Sequence, residues 1–209
     1  MDDLLRFNFN QNYLILDTET ECLNLLSTKP WQVSWLLAKG KQIKSIQNKY
    51  LKWNNLKLSE DAERITKFDR NLYERKCEDP KKVLEELLKY LLDPSYIIIG
   101  QNILGFDVYV LNIWMKLSGF TPDYSYVSRI LDTRSIAMAI GTGYKDLSKD
   151  DILAQYRFLN LRDKKIKSSQ GYLLKKYNID HDPSKLHDAL YDIEMTFKIF
   201  WEQIQEINI

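Results

Sequence analysis

The feature that most constrains this chain is an apolar run that ends abruptly in acids: Tyr13-Leu14-Ile15-Leu16, then Asp17-Thr18-Glu19-Thr20. A continuous apolar tetrad of this kind reads as a strand buried on both faces, central in a sheet that helices cover on each side. Side chains two apart on a strand point the same way. Asp17 and Glu19 therefore stand side by side where the strand leaves the core.

The remaining pattern fits an α/β fold. Trp31–Ala38 and Gln42–Leu51 flank Lys39-Gly40-Lys41 and read as a β-hairpin. Tyr96–Ile99, stopped by Gly100, is a second buried strand, and Val127–Leu131 a short last one. Ser59–Lys76 predicts one or two short helices. Asp79-Pro80 opens a longer one, with Val83, Leu84, Leu87, Leu88 and Leu91 at helical spacing. Phe106–Leu117 is a helix with Gly119 past its end. Further helices are expected over 134–140, 151–160 and 171–177. A long one over 188–207 closes the chain, with Ile193, Phe197, Phe200, Trp201 and Ile204 on its buried side. No repeat or low-complexity linker interrupts residues 1–209, which read as a single domain.

Two more acids fall at helix starts. Asp107 begins the helix after the second buried strand, and Asp192 lies in the first turn of the last helix. His187 precedes Asp192 by five residues, about 140° round an ideal helix, so it belongs to the loop leading in. If the two buried strands are neighbours, their C-terminal ends open onto one crevice, and all four acids converge there. Clustered carboxylates suit hard divalent cations, since Mg²⁺ takes oxygen ligands and keeps waters that a phosphate can replace. Two such ions stabilise both the attacking and the leaving oxygen of an in-line phosphoryl displacement. A histidine beside them can take the proton of the attacking water. Each residue alone has an ordinary reading, as a solvated strand end or a favourable first-turn acid. Their combination is what points to chemistry.

The combination resembles the DEDDh branch of the DnaQ-like 3′–5′ exonucleases, which includes polymerase proofreading subunits, RNase T and oligoribonuclease. Asp17-Thr18-Glu19-Thr20 matches the first motif, Asn102 with Phe106-Asp107 the second, and His187-Asp188-Ala189-Leu190-Tyr191-Asp192 the third. Leu131-Asp132-Thr133 and the segment Tyr172–Ile179 are similar to lesser family features. The resemblance implies a ribonuclease H-like fold, a five-stranded mixed sheet flanked by helices. It implies two Mg²⁺ or Mn²⁺ ions held by Asp17, Glu19, Asp107 and Asp192, with His187 as general base. The product would be a nucleoside 5′-monophosphate, released from the 3′ end of a single-stranded nucleic acid. Thr20, Leu23, Asn102 and Phe106 match positions beside the terminal nucleotide, although packing accounts equally well for Leu23 and a core role is favoured over base stacking for Phe106. Asp188 fits no family ligand and reads as a helix N-terminal acid. Asp132 reads as ordering a strand end. Gln101 departs from the histidine of many members, and Glu21–Lys29 lacks a common Thr-Gly.

DNA is slightly favoured as substrate, with an RNase T or oligoribonuclease-like exoribonuclease as the alternative. A non-catalytic nucleic-acid-binding module on the same fold is a further rival. The presence of all five catalytic-type residues argues against it. A polymerase or replication protein is an expected partner.

Charge adds little. Lys plus Arg is 30 against 29 for Asp plus Glu, so any polyanion contact must come from a local rim. Arg162, Lys164, Lys165 and Lys167 form such a run, with a solvated loop as its ordinary reading. Cys22 and Cys77 are too few for a disulfide framework. The opening Met1-Asp2-Asp3-Leu4-Leu5-Arg6 has no basic segment ahead of an apolar one, and no apolar run approaches about 18 residues. A cytoplasmic protein without a membrane segment is expected.

Overall fold

In the computed structural model, which describes residues 4–209, the acid-tipped strand runs over Asn12–Thr20 (β1) inside a mixed sheet. The hairpin strands are Pro30–Lys39 (β2) and Gln42–Leu51 (β3). Glu60–Thr66 (α1) and Arg70–Lys76 (α2) follow, then the two-residue strand Cys77–Glu78 (β4) and helix Pro80–Leu91 (α3). Tyr96–Gly100 (β5) leads to Asp107–Leu117 (α4), and Ile130–Asp132 (β6) to Thr133–Gly141 (α5). Ile152–Leu159 (α6), Gln170–Lys176 (α7) and Ala189–Glu206 (α8) complete the chain. Strand order is β4-β3-β2-β1-β5-β6. β1 is antiparallel to β2 and parallel to β5, so the two buried strands are neighbours, as the convergence of the acids requires. No helix among the described residues is long and apolar enough to cross a membrane.

The sheet has six strands where five were expected. The addition is β4, which pairs in parallel with Tyr50 and Leu51 of β3. Two residues carry no periodicity, so only their passage along the end of β3 reveals them. The last strand also starts later than expected. Val127–Arg129 is a 3₁₀ turn, because the Arg129 guanidinium donates to the carbonyls of Leu91 (2.6 Å), Asp93 (2.8 Å) and Tyr96 (2.5 Å). That side chain closes the end of α3 and delays entry into β6.

Alternation along β1 divides the core. Tyr13 and Ile15 pack with Ile193, Phe197, Phe200 and Trp201 of α8. Leu14 and Leu16 face Leu84 and Leu87 of α3 and Val108, Leu111 and Trp114 of α4. Every one of these residues is buried, so β1 is fixed on both sides.

One buried carboxylate ties β5, β6 and α5 together. Asp132, fully buried, caps α5 by accepting from the backbone N–H of Arg134 (2.9 Å) and Ser135 (3.3 Å). It also accepts from the N–H of Asn102 and of Leu104, both at 3.0 Å, which fixes the turn between β5 and α4. Burial pushes its pKa up to about 6 despite these bonds. Gln155 of α6 completes the assembly. Its amide accepts from Asp132 N–H at 2.8 Å and donates to the Ile130 carbonyl at 2.6 Å. Asp132→Ala should lower unfolding free energy by about 3 kcal/mol, since it leaves several buried N–H groups without an acceptor. Denaturant titration checks this. A loss under about 1 kcal/mol would show that water replaces the carboxylate.

Candidate active site

The pleat of β1 decides which acids meet. Asp17 and Glu19 continue the Tyr13–Ile15 face and so project toward α8, where Asp192 occupies the first turn. One carboxylate oxygen from each of Asp17, Glu19 and Asp192 lies within 4.8 Å of the others. Thr18, between them, points to the opposite face, and its hydroxyl donates to Asp107 Oδ1 at 2.6 Å. The structure thus brings three of the four acids into one cluster and holds the fourth, buried Asp107, beside it through Thr18.

Burial and mutual repulsion push these acids upward. Desolvation raises Asp17 and Glu19 well above the usual carboxylate range, and the neighbouring carboxylates add to it. Asp107 and Asp192 are each raised to about 7, again chiefly by burial. Asp192 Oδ2 accepts from the His187 N–H at 3.0 Å, while its Oδ1 is buried without a hydrogen-bond partner. An orphaned carboxylate oxygen beside two further carboxylates fits a divalent cation, whose charge would reverse the local penalty on ionisation.

His187 stands at the solvent edge of the cleft, with a left-handed backbone (φ 68°). As expected it precedes α8 rather than lying on it. Asp188 caps α8 by accepting from Leu190 N–H at 3.0 Å. It also accepts from Gln32 Nε2 at 3.2 Å, and Gln32 in turn donates to Asn48 Oδ1 at 3.0 Å. The histidine loop is thereby tied to β2 and β3. Partial burial and the charge of Lys67 lower the His187 pKa, which leaves the imidazole neutral at pH 7.

The cleft, about 540 Å³, is lined by Asp17, Glu19, His187 and Asp192, with Asn102 and Arg134 on one wall. Ser168, Ser169 and Gln170 also line it. Asn102 adopts φ 61°, and its Oδ1 accepts from Arg134 Nη1 at 2.8 Å. Thr20, Leu23 and Phe106 lie outside the lining. Thr20 is buried and donates to the Cys22 carbonyl at 2.8 Å, so its hydroxyl shapes the turn after β1. Leu23 is 84% exposed, which removes packing as its explanation. Phe106 is half-buried just ahead of α4. Arg162, Lys164, Lys165 and Lys167 are exposed on the segment that runs into Ser168.

Sequence reading missed Thr18, Arg134, Gln32 and Gln170. Thr18 carried a usable signal, since strand parity turns it away from Asp17 and Glu19. Gln32 lies opposite Glu19 in the antiparallel register, which no local pattern discloses.

Acids whose folded pKa is raised contribute stability below their unfolded pKa, about 4, and lose it as pH rises toward about 7. The metal-free protein should therefore become less stable between pH 4 and 7. Asp17→Asn should raise its melting temperature by a few degrees at pH 8, with little effect at pH 4. Thermal melts in chelator at the two pH values measure this. An unchanged pH slope in the variant would show that burying Asp17 among the other acids carries no cost.

Residues 14–200 match the model of the RNase T family, described as Exonuclease. No curated protein matches the chain by sequence. Among solved structures, the zinc-bound complex of Escherichia coli exonuclease I with single-stranded DNA is similar at TM-score 0.73 and 18% identity, over 91% of this chain and 40% of that one. The same enzyme with a dA16 oligonucleotide aligns at TM-score 0.73 and 15% identity, over 93% and 42%. With dT13 it aligns at TM-score 0.72 and 17% identity, over 92% and 40%. The chain spans about two-fifths of the length of these structures. The fold is therefore the expected ribonuclease H-like one, and the chain belongs to the RNase T exonuclease family of DEDDh, DnaQ-like proteins.

Proposed function

We propose that this protein is a 3′–5′ exonuclease that removes nucleoside 5′-monophosphates from the 3′ end of single-stranded nucleic acid, with DNA preferred. The observation that carries the reading is the Asp17, Glu19 and Asp192 cluster, bonded through Asp192 to the backbone of His187 at the mouth of the cleft. The likeness to exonuclease I structures that hold oligodeoxynucleotides supports DNA as the substrate.

Asp17, Glu19 and Asp192, with Asp107 alongside, are the residues that would hold two Mg²⁺ or Mn²⁺ ions. When bound, such ions neutralise a phosphate and stabilise the oxygens that enter and leave it. His187 accepts the proton of the attacking water on its imidazole, and its lowered pKa keeps it available as a base at neutral pH. The α8 N-terminus beneath Asp192 favours the ionised carboxylate once the repulsion is relieved. Thr18 holds Asp107 in place through its hydroxyl. Leu23 is exposed and Phe106 half-buried, which leaves their side chains available to the terminal nucleotide.

The test is digestion of matched DNA and RNA oligonucleotides labelled at the 5′ end, with Mg²⁺ or with chelator. Stepwise shortening from the 3′ end, mononucleotide release and loss of activity in chelator are expected. Faster digestion of the RNA would reassign the substrate. Nicking of a closed single-stranded circle would overturn the exonuclease reading.

His187→Ala should slow the reaction by about 10²–10⁴ while leaving oligonucleotide binding intact. Because the histidine pKa is lowered from 6.5, the acid limb of the wild-type rate profile should fall below that pH. Wild-type turnover by the variant would remove the proton-transfer role.

A further inference from the structure

One positive charge lies on the wall of this acidic cleft and has no carboxylate partner. Arg134 lines it together with Asp17, Glu19 and Asp192. None of the ion pairs formed among the described residues includes Arg134. The side chain is held all the same. Its Nη1 donates to Asn102 Oδ1 at 2.8 Å, and its backbone N–H is bound by the buried Asp132 carboxylate. Asn102 is itself fixed, since its own N–H donates to Asp132 and its amide lies over Gly105, where a Cβ would come within 2.6 Å of Oδ1.

A guanidinium has five N–H donors, and one bond to Asn102 leaves the others available. The cation shares a cleft with several acids yet pairs with none of them, which leaves it free for an anion that a ligand supplies. Arginine suits that purpose, because its planar fork matches two phosphate oxygens. The scissile phosphate is provided for by the cations that the acids would hold. The next phosphate along a bound strand carries its own negative charge, which a cation in the same cleft can meet.

We propose that Arg134 binds the phosphodiester that adjoins the scissile one on its 5′ side, and so holds the last two nucleotides of the strand in register. The role rests on the exonuclease reading and specifies its substrate contact. Gln101 braces the same wall. Its Nε2 donates to the Ser168 carbonyl at 2.8 Å, and its Oε1 accepts from the Thr133 hydroxyl. This glutamine therefore links the turn that carries Asn102 to the segment that carries Ser168.

Two independent perturbations test the contact. Arg134→Gln should raise KM by about ten- to a hundredfold, as expected for loss of a charge-assisted bond, with kcat nearly unchanged. Arg134→Lys should recover part of the loss, since it keeps the charge without the fork. The slope of log K against log salt, measured for oligo-dT binding with Ca²⁺ replacing Mg²⁺, should become shallower by roughly 0.7. An oligonucleotide with a neutral methylphosphonate at the linkage 5′ to the scissile one should raise the wild-type KM by a similar factor. It should add nothing to the Arg134→Gln defect. The modified oligonucleotide also tests the contact in wild-type protein if the variants do not fold. Multiplying defects, or a wild-type KM for Arg134→Gln, would overturn the contact and leave Arg134 as a brace for Asn102. A wild-type protein that does not shorten the unmodified oligonucleotide would overturn the exonuclease reading along with it.

Discussion

A pleated strand cannot turn two consecutive side chains to the same side, and the candidate site depends on that rule. β1 is packed by α8 on one face and by α3 and α4 on the other, so its rotation about its own axis is fixed. Asp17 and Glu19 inherit the α8 face and meet Asp192, while Thr18 inherits the other face and meets Asp107. A shift of one residue in the pairing of β1 with β2 would send both catalytic-type acids toward α4 and bury Thr18 beneath α8. The large buried side chains on either face, Tyr13 against Phe200 and Leu14 and Leu16 in the cluster with Trp114, stand against that shift.

Holding like charges together costs stability, and the structure absorbs it by anchoring the four acids on three rigid supports. Asp17 and Glu19 sit at the end of the central strand, Asp107 at the start of α4, and Asp192 at the start of α8. Loops enter at His187, at the Gln101–Asn102 turn and at Ser168–Ser169. Even the His187 loop is restrained, through Asp188 to Gln32 and through its own N–H to Asp192. Positioning by backbone and by second partners of this kind is what holds a constellation to a productive geometry.

The sequence discloses the features that repeat or that end sharply. The apolar tetrads of β1 and β5, the hairpin turn at Gly40 and the helical stripes of α3 and α8 all show in the residues themselves. So do the acids and His187, because each falls at a strand end or helix start that is visible locally. What stays hidden depends on partners far along the chain. β4 exists through two backbone pairings with β3. The delay before β6 comes from Arg129 reaching carbonyls more than thirty residues away. The bond from Thr18 to Asp107 follows from strand parity, which the sequence reading did not apply. Arg134 follows an Asp-Thr that the sequence singles out, yet only the folded wall shows that its charge has no partner.

Gln155 has a consequence for how copies of this protein meet one another. A sheet edge ordinarily offers a row of free N–H and C=O groups to any strand that drifts past. On β6 the Gln155 amide already occupies the Asp132 N–H and the Ile130 carbonyl, so a side chain stands where a seventh strand would dock. On the opposite side the two-residue β4 covers only Tyr50 and Leu51 of β3. The β6 border of the sheet is thus closed to a seventh strand by a single side chain, without a barrel or a covering subunit.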